Sequence, residues 1–236
     1  MLKAELHSHT SDDPLDNIPY DAFALIDRAA ELAYNVLAIT LHTKQLDTRR
    51  MGDYARDRGI VLIPGIEQTI CGKHVLLLNF SAEAEEVTTF EELARLKVRS
   101  NGIVVAAHPF FPAPSCLHRY LDRYADLFDA VEVNAFFTRD IDFNRRAVTW
   151  ARAHQKPLVG NGDIHRLPQL GTTYSLIDAE PDADAICEGI RRGRVEVRSQ
   201  PISLPRAVAH FASLLVGGFT KPVRVRPEPA VTELAG

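Results

Sequence analysis

The feature that most restricts this chain is an alternation: short apolar runs, each long enough for one strand, separated by stretches of helical periodicity. Such an order feeds a parallel sheet or barrel, because each strand returns to the sheet through a covering helix. The strand-length runs lie at 3–9, 36–41, 60–64, 75–80, 103–107, 130–133, 157–159, 174–177 and 195–198. Helices are expected over 20–33, with Phe23, Ile26, Ala30 and Ala33 on one face, and over 89–98, gathering Phe90, Leu93, Leu96 and Lys97. Two more are expected over 142–153, around Phe143, Ala147, Trp150 and Ala151, and over 206–216, before Gly217 and Gly218. At 46% hydrophobic residues, 1–220 has the means to bury one core as a single domain, with the proline-bearing residues 221–236 as an extended or disordered tail.

Six of the nine histidines, His7, His9, His42, His74, His108 and His165, stand at or just beyond the ends of separate apolar runs, alongside Glu67 and Asp163. Packing gives no reason to deliver imidazoles repeatedly to one edge of a set of strands. A multinuclear metal centre does. His7 and His9 are two apart, so on a strand both leave the same face, and Asp163 with His165 repeats that spacing. An HxH pair alone is weak; the convergence of several strand ends on the edge where parallel barrels build their sites carries the reading. Gly160 and Gly162 are expected to let the backbone approach the ions closely.

Composition narrows the classes further. With 27 basic against 31 acidic residues, a net charge of -4 advertises no nucleic-acid groove, so no stable nucleic-acid partner is indicated. Three cysteines at long spacings indicate neither a disulfide framework nor a zinc finger. No segment of signal-peptide type and no run approaching about 20 apolar residues is found, so a cytoplasmic protein with no membrane partner is expected.

The segments His7-Ser-His9-Thr, Ala38-Ile-Thr-Leu-His42, Pro64-Gly-Ile-Glu67, Ala107-His108-Pro109, Val131-Glu-Val-Asn134 and Gly162-Asp-Ile-His165 resemble, in order and spacing, the motifs of the PHP (polymerase and histidinol phosphatase) superfamily. The resemblance runs from about residue 2 to residue 177. It implies an α/β fold, a distorted (β/α)7 TIM-like barrel, holding two or three divalent ions (Zn, Mn or Fe) and hydrolysing phosphate esters through a metal-activated hydroxide. Carried over by position, one ion takes His7, His9, Glu67 and Asp163, and Glu67 bridges to a second that also takes His74 and His108. A third takes His42, His165 and an acid from 12–16; Asp13 is chosen, with Asp12 close behind. Glu67, Asp163 and His165 are the residues on which catalysis is expected to depend. The family often has Asp-His where this chain has Leu41-His42. Three divalent ions against Glu67, Asp163 and Asp13 leave a positive excess that suits a phosphate.

The substrate implied is a small phosphorylated metabolite, nucleotide or short oligonucleotide. Two other readings stay open: an amidohydrolase-like enzyme acting on a non-phosphate bond, and a metal-binding regulatory protein without turnover. Lys44, Arg139 and Arg166 are candidates for gripping phosphate, and equally ordinary loop cations. Glu132 is expected to orient a ligand histidine rather than to bind metal, and Glu5 to serve similarly. Phe110, Phe111, Phe136 and Phe137 can wall a ring-bearing substrate or simply pack. His118, His154 and His210 lack the setting of the other six.

Overall fold

The computed structural model describes residues 1–217; the expected tail at 221–236 and the helix stop at Gly218 lie outside the described residues, and so does the side chain of His210. The described strands are β1 (Leu2–Glu5), β2 (Val36–Ile39), β3 (Val61–Ile70), β4 (Lys73–Leu78), β5 (Ile103–Ala106), β6 (Ala130–Asn134), β7 (Leu158–Asn161), β8 (Thr173–Ile177) and β9 (Val195–Ser199). They form one sheet in the order β7-β6-β5-β4-β3-β2-β1-β8-β9. The helices are α1 (Ala22–Glu31), α2 (Arg49–Arg56), α3 (Phe90–Val98), α4 (Arg119–Arg123), α5 (Asn144–Ala153), α6 (Ala183–Arg191) and α7 (Leu204–Gly217).

The sheet curls until its two halves meet. The Gly160 amide in β7 donates to Ser175 Oγ in β8 at 2.9 Å, and that hydroxyl donates back to the Gly160 carbonyl at 3.2 Å. A Cβ at Gly160 would stand 2.8 Å from Val197 Cγ1 and 2.9 Å from the Tyr174 carbonyl oxygen, so this glycine serves the closure of the barrel rather than an approach to ions. The expected distorted TIM-like barrel is the fold observed. Its distortion has a definite form: β4 is antiparallel to both β3 and β5, and β8 to both β1 and β9, while the remaining strand pairings are parallel.

Strand alternation explains the layering. Val36 and Ala38 pack with Ala4, Ile63, Val105 and Val159 in the cluster shared by strands around the sheet, joined by Ile186, Cys187 and Ile190 of α6. Leu37 and Ile39 face the other way, onto Leu25, Ile26 and Ala29 of α1. Val104 and Ala106 likewise meet Phe90, Leu93 and Leu96 of α3. This is the period of two expected of strands buried on both faces.

Helix ends follow capping chemistry. Asp21 caps α1 by accepting from the Ala24 amide at 2.9 Å. Thr89 and Glu92 form a reciprocal capping box on α3. The buried face of α1 is Ala22, Leu25, Ile26 and Ala29, whereas Phe23, expected inside, is 42% exposed and lies edge-on to Tyr54. α2, α4 and α6 lie outside the expected helices. α2 is highly polar, and α6 buries Ile186 and Ile190 behind the Asp182 cap.

Candidate metal centre

The strand ends converge as the motifs suggest. His7 and His9 follow β1, His42 follows β2, His108 follows β5, and Asp163 with His165 follows β7. Glu67 lies within β3, which continues past the expected end at Pro64 to Ile70, so its backbone is paired with Leu76 of β4 and bridged to His42. Because β4 runs backwards, His74 near its start is brought to the same edge, opposite Thr69.

Glu67 is the hub. Its Oε2 stands 3.2 Å from His7 Nε2, 3.4 Å from His9 Nε2 and 3.1 Å from His42 Nε2. Its Oε1 stands 2.7 Å from His74 Nδ1 and 3.2 Å from His108 Nε2. Asp163 Oδ1 lies 3.3 Å from His7 Nε2 and 3.4 Å from both His9 Nε2 and His165 Nδ1. One carboxylate thus offers an oxygen to each of two histidine groups.

The protonation pattern decides what this cluster is for. His7 Nδ1 lies 2.8 Å from Glu132 Oε1, and His9 Nδ1 2.8 Å from Asp13 Oδ2. An ionised carboxylate only accepts, so each Nδ1 carries a hydrogen and each neutral ring presents a lone pair on Nε2. Both Nε2 atoms are buried without a hydrogen-bond partner. What faces them is Glu67 Oε2 and Asp163 Oδ1, which bear lone pairs too. Lone pairs opposed in a dry site require a cation or a proton between them. Donors bound about 2.1 Å from a shared ion at angles of about 90–110° stand about 3.0–3.4 Å apart. The separations found match that spacing, so the residues present fit divalent metal.

The same crowding shows in the proton affinities of the metal-free cluster. Burial opposes the imidazolium of His7, but Asp163, Glu132 and Glu67 outweigh it and hold its pKa well above 6.5. His9 is likewise disfavoured by burial and pulled up to about 9 by Asp13, Asp163 and Glu67. Burial works against the carboxylates of Glu67 and Asp163, yet the surrounding imidazoles hold both well below their usual range. In the absence of metal, protons take the cation's place.

Acids behind the imidazoles fix them. Asp13 Oδ2 also takes the His42 amide at 3.0 Å and lies 3.1 Å from His42 Nδ1, while its Oδ1 accepts from the Leu15 and Asp16 amides. Asp16, not singled out within 12–16, places Oδ2 2.9 Å from His165 Nε2 and 3.7 Å from His42 Nδ1; Asp12 is exposed. Glu132 accepts from the Asn161 side chain and the His108 amide as well as from His7. Glu5 accepts from the His7 and Gly162 amides, and burial raises its pKa to about 8. A Cβ at Gly162 would meet Ile164 Cδ1 at 2.1 Å and Glu5 Oε2 at 2.9 Å, so this glycine admits the carboxylate of Glu5. His108 and Asp163 hold positive φ, +25° and +49°, a strained backbone in residues without glycine's freedom.

A cavity of about 190 Å³ opens beside His108, Asp163 and His165. Phe111, Phe136, Cys116, Asn134, Ile202 and Arg206 are among the residues lining it. Lys44, Arg139 and Arg166 are exposed and are not among those lining residues. Arg206 and Cys116, whose Sγ lies 3.4 Å from His108 Nδ1, carried no motif signal. Phe110 packs in the core, His154 stacks on Trp150, and Leu41 is buried.

Comparison with known proteins follows the same line. Residues 142–195 match the model of the PHP-associated family. A two-domain protein from Bacteroides vulgatus ATCC 8482, containing a predicted PHP-like metal-dependent phosphoesterase, superposes with a TM-score of 0.64 at 17% identity, over 84% of this chain and 65% of that one. The present chain therefore spans just under two thirds of that protein's length. PsfC from Pseudomonas syringae PB-5123 gives 0.65 at 19% identity, over 92% of this chain and 100% of that one. The lesion-specific endonuclease Q of Pyrococcus furiosus gives 0.60 at 14% identity, over 96% and 74%. At these identities the likeness is one of fold. A search of curated proteins by sequence found no match. Fold and matched segment together bear out the PHP resemblance of the motifs.

Proposed function

We propose that this chain of PHP fold is a metal-dependent phosphoesterase, hydrolysing a phosphate ester of a small metabolite, nucleotide or short oligonucleotide. The observation that carries the reading is the pair of buried, unpartnered Nε2 atoms of His7 and His9, facing the oxygens of Glu67 and Asp163. Fold-level likeness to phosphoesterases and to an endonuclease supports the reaction class by analogy.

His7, His9, Glu67 and Asp163 would hold one ion, Glu67, His74 and His108 a second, and His42, His165 and Asp16 a third. In this assignment Asp13, whose oxygens are engaged by imidazoles and amides, orients His9 and His42, and Asp16 takes the ligand place expected for Asp13. Divalent ions held there supply a Lewis acid for phosphoryl oxygens and a water that is nucleophilic at neutral pH. The protein's own part is to fix tautomers through Glu132 and Asp13, to keep Glu67 rigid within a paired strand, and to leave an approach. That approach is the cavity: His108, Asp163 and His165 have partly exposed side chains and line it, whereas those of His7 and His9 are fully buried. With ions bound, a phosphate entering there would meet their positive charge. Glutamate at the hub, where a bridging carboxylated lysine marks amidohydrolases, favours phosphate over amide chemistry.

The test is a panel of phosphomonoesters and phosphodiesters offered to full-length protein of measured manganese or zinc content. Hydrolysis that tracks occupancy and stops on chelation is expected. A fully loaded sample inert to the whole panel would overturn the reading.

A further inference from the structure

The cavity beside the candidate centre is lined by the ligand-bearing loops after β5 and β7 and also by elements that contribute no ligand. After β9 the chain crosses the site mouth: the Gln200 amide donates to the Thr172 carbonyl at 2.9 Å and the Ile202 amide to the Phe137 carbonyl at 2.9 Å. The Arg206 guanidinium then donates to the Pro168 carbonyl, just beyond His165. This strap is tied to the loops after β6 and β7, and brings Ile202 and Arg206 to the cavity that Phe111 and Phe136 also line. The result is an apolar slot with a cationic side, contiguous with His108, Asp163 and His165.

Its dimensions are selective. A cavity on the order of 150 Å³ lined by aliphatic and aromatic side chains accommodates benzene. At about 190 Å³ the slot has room for one six-membered ring with a small substituent. Arginine carries five N–H donors. One meets Pro168, and the guanidinium is the charged group on the organic side of the pocket.

Resting on the phosphoesterase reading, we propose that this slot is the subsite for the ester's organic group, which it selects as a single planar ring bearing an anionic substituent that Arg206 meets. Selection of the organic group is thereby separated from the metal ligands: the strap chooses the ring and the barrel edge handles the phosphate.

Phosphonates test this without the complication of leaving-group reactivity. Calorimetric titration of full-length, zinc-loaded protein should give phenylphosphonate at least tenfold tighter than methylphosphonate, 4-carboxyphenylphosphonate tighter again, and naphthylphosphonate no better than phenyl. Ile202→Trp, which fills the slot, should erase the phenyl preference and leave methylphosphonate within about twofold of wild type. Arg206→Ala should remove only the gain from the carboxylate. Equal affinity for the methyl and phenyl compounds, a phenyl preference that survives Ile202→Trp, a further tenfold gain with naphthyl, or an Arg206→Ala loss shared equally by all phosphonates would each overturn the proposal. 4-Fluorophenol, which carries no phosphorus, followed by fluorine NMR, reads the slot alone. If it binds wild type and not Ile202→Trp while no phosphonate binds, the phosphate reading fails and the ring subsite stands; if it does not bind wild type, the subsite fails.

Discussion

Glu132 Oε1 lies 2.8 Å from His7 Nδ1, and both side chains are fully buried. The carboxylate fixes which nitrogen of His7 carries the proton, and so turns Nε2 toward Glu67 and Asp163 as a lone pair. The same carboxylate takes the His108 amide, so a single acid steadies two of the histidines.

Removing that support should weaken metal binding without removing a ligand. Glu132→Ala is expected to lower metal affinity about 10–100-fold, in the range found when such outer partners are lost, and Glu132→Gln to fall between. Competition titration against a chromophoric chelator measures it; unchanged affinity in Glu132→Ala would show that His7 needs no such partner.

Proton competition sets a pH dependence. With His9 pulled up to about 9 and His7 and His108 also held well above 6.5, binding at pH 7 must displace protons, so affinity should rise with pH up to at least about pH 9. Calorimetry in buffers of different ionisation enthalpy should show net proton release at pH 7. Equal heats in all buffers would contradict this.

Stability of the metal-free protein should run the opposite way. The folded pKa of His9 lies above its unfolded value of 6.5, so its contribution is full below pH 6.5 and is lost as pH rises toward about 9. Glu5, raised from 4.5 to about 8, favours the fold least above pH 8 for the same reason. Glu67 and Asp163 are held low, so their contribution is present above their ordinary values of 4.5 and 3.8 and is lost as acid reaches their folded pKa values. His74, held low, opposes the trend below 6.5 only. The melting temperature in chelator is therefore expected to peak between about pH 5 and 6.5 and to decline toward pH 9; a monotonic rise to pH 9 would contradict it.

Asp13 and Asp16 should separate by what they hold. Asp13→Ala strips anchors from two imidazoles and three backbone amides, and is expected to lower both metal content and melting temperature, at about 1–3 kcal/mol for each buried group left unpaired. Asp16→Ala should lose one equivalent of metal with little change in the metal-free melting temperature. Elemental analysis with thermal unfolding distinguishes the two.

Gly160→Ala tests the barrel closure. Its Cβ would press on Val197 and on the Tyr174 carbonyl oxygen, whose backbone position leaves little room to yield. Overpacking of this kind costs about 1–3 kcal/mol, or a melting temperature lower by about 2–12 °C for a chain of this size. A shift within experimental error would mean the seam relaxes freely.

Much of this was legible in the chain. Strand runs ending in His42, His108 or Asp163 announce both a sheet and what it delivers, because period and chemistry coincide at each end. Direction was less legible. Nothing in Val75-Leu-Leu-Leu78 says that β4 runs backwards, since a strand buried on both faces reads the same either way. Within 12–16 three aspartates compete, and a turn rather than a periodic element decides which one faces His165. Lys44, Arg139 and Arg166 are candidates because they neighbour the motifs in sequence, whereas Arg206 reaches the pocket across the fold. Phe23 was placed inside α1 by periodicity that fits a neighbouring face equally well.

The placement of β1 has a consequence for synthesis. It lies between β2 and β8, and the Ile164 amide and carbonyl pair with His7 and His9. The imidazoles of His7 and His9 thus wait for Asp163 and His165, which follow them by more than 150 residues. Such long-range closure slows assembly, and a nascent chain halted before β7 would lack Asp163 and His165 while carrying the other seven side chains assigned to the ions.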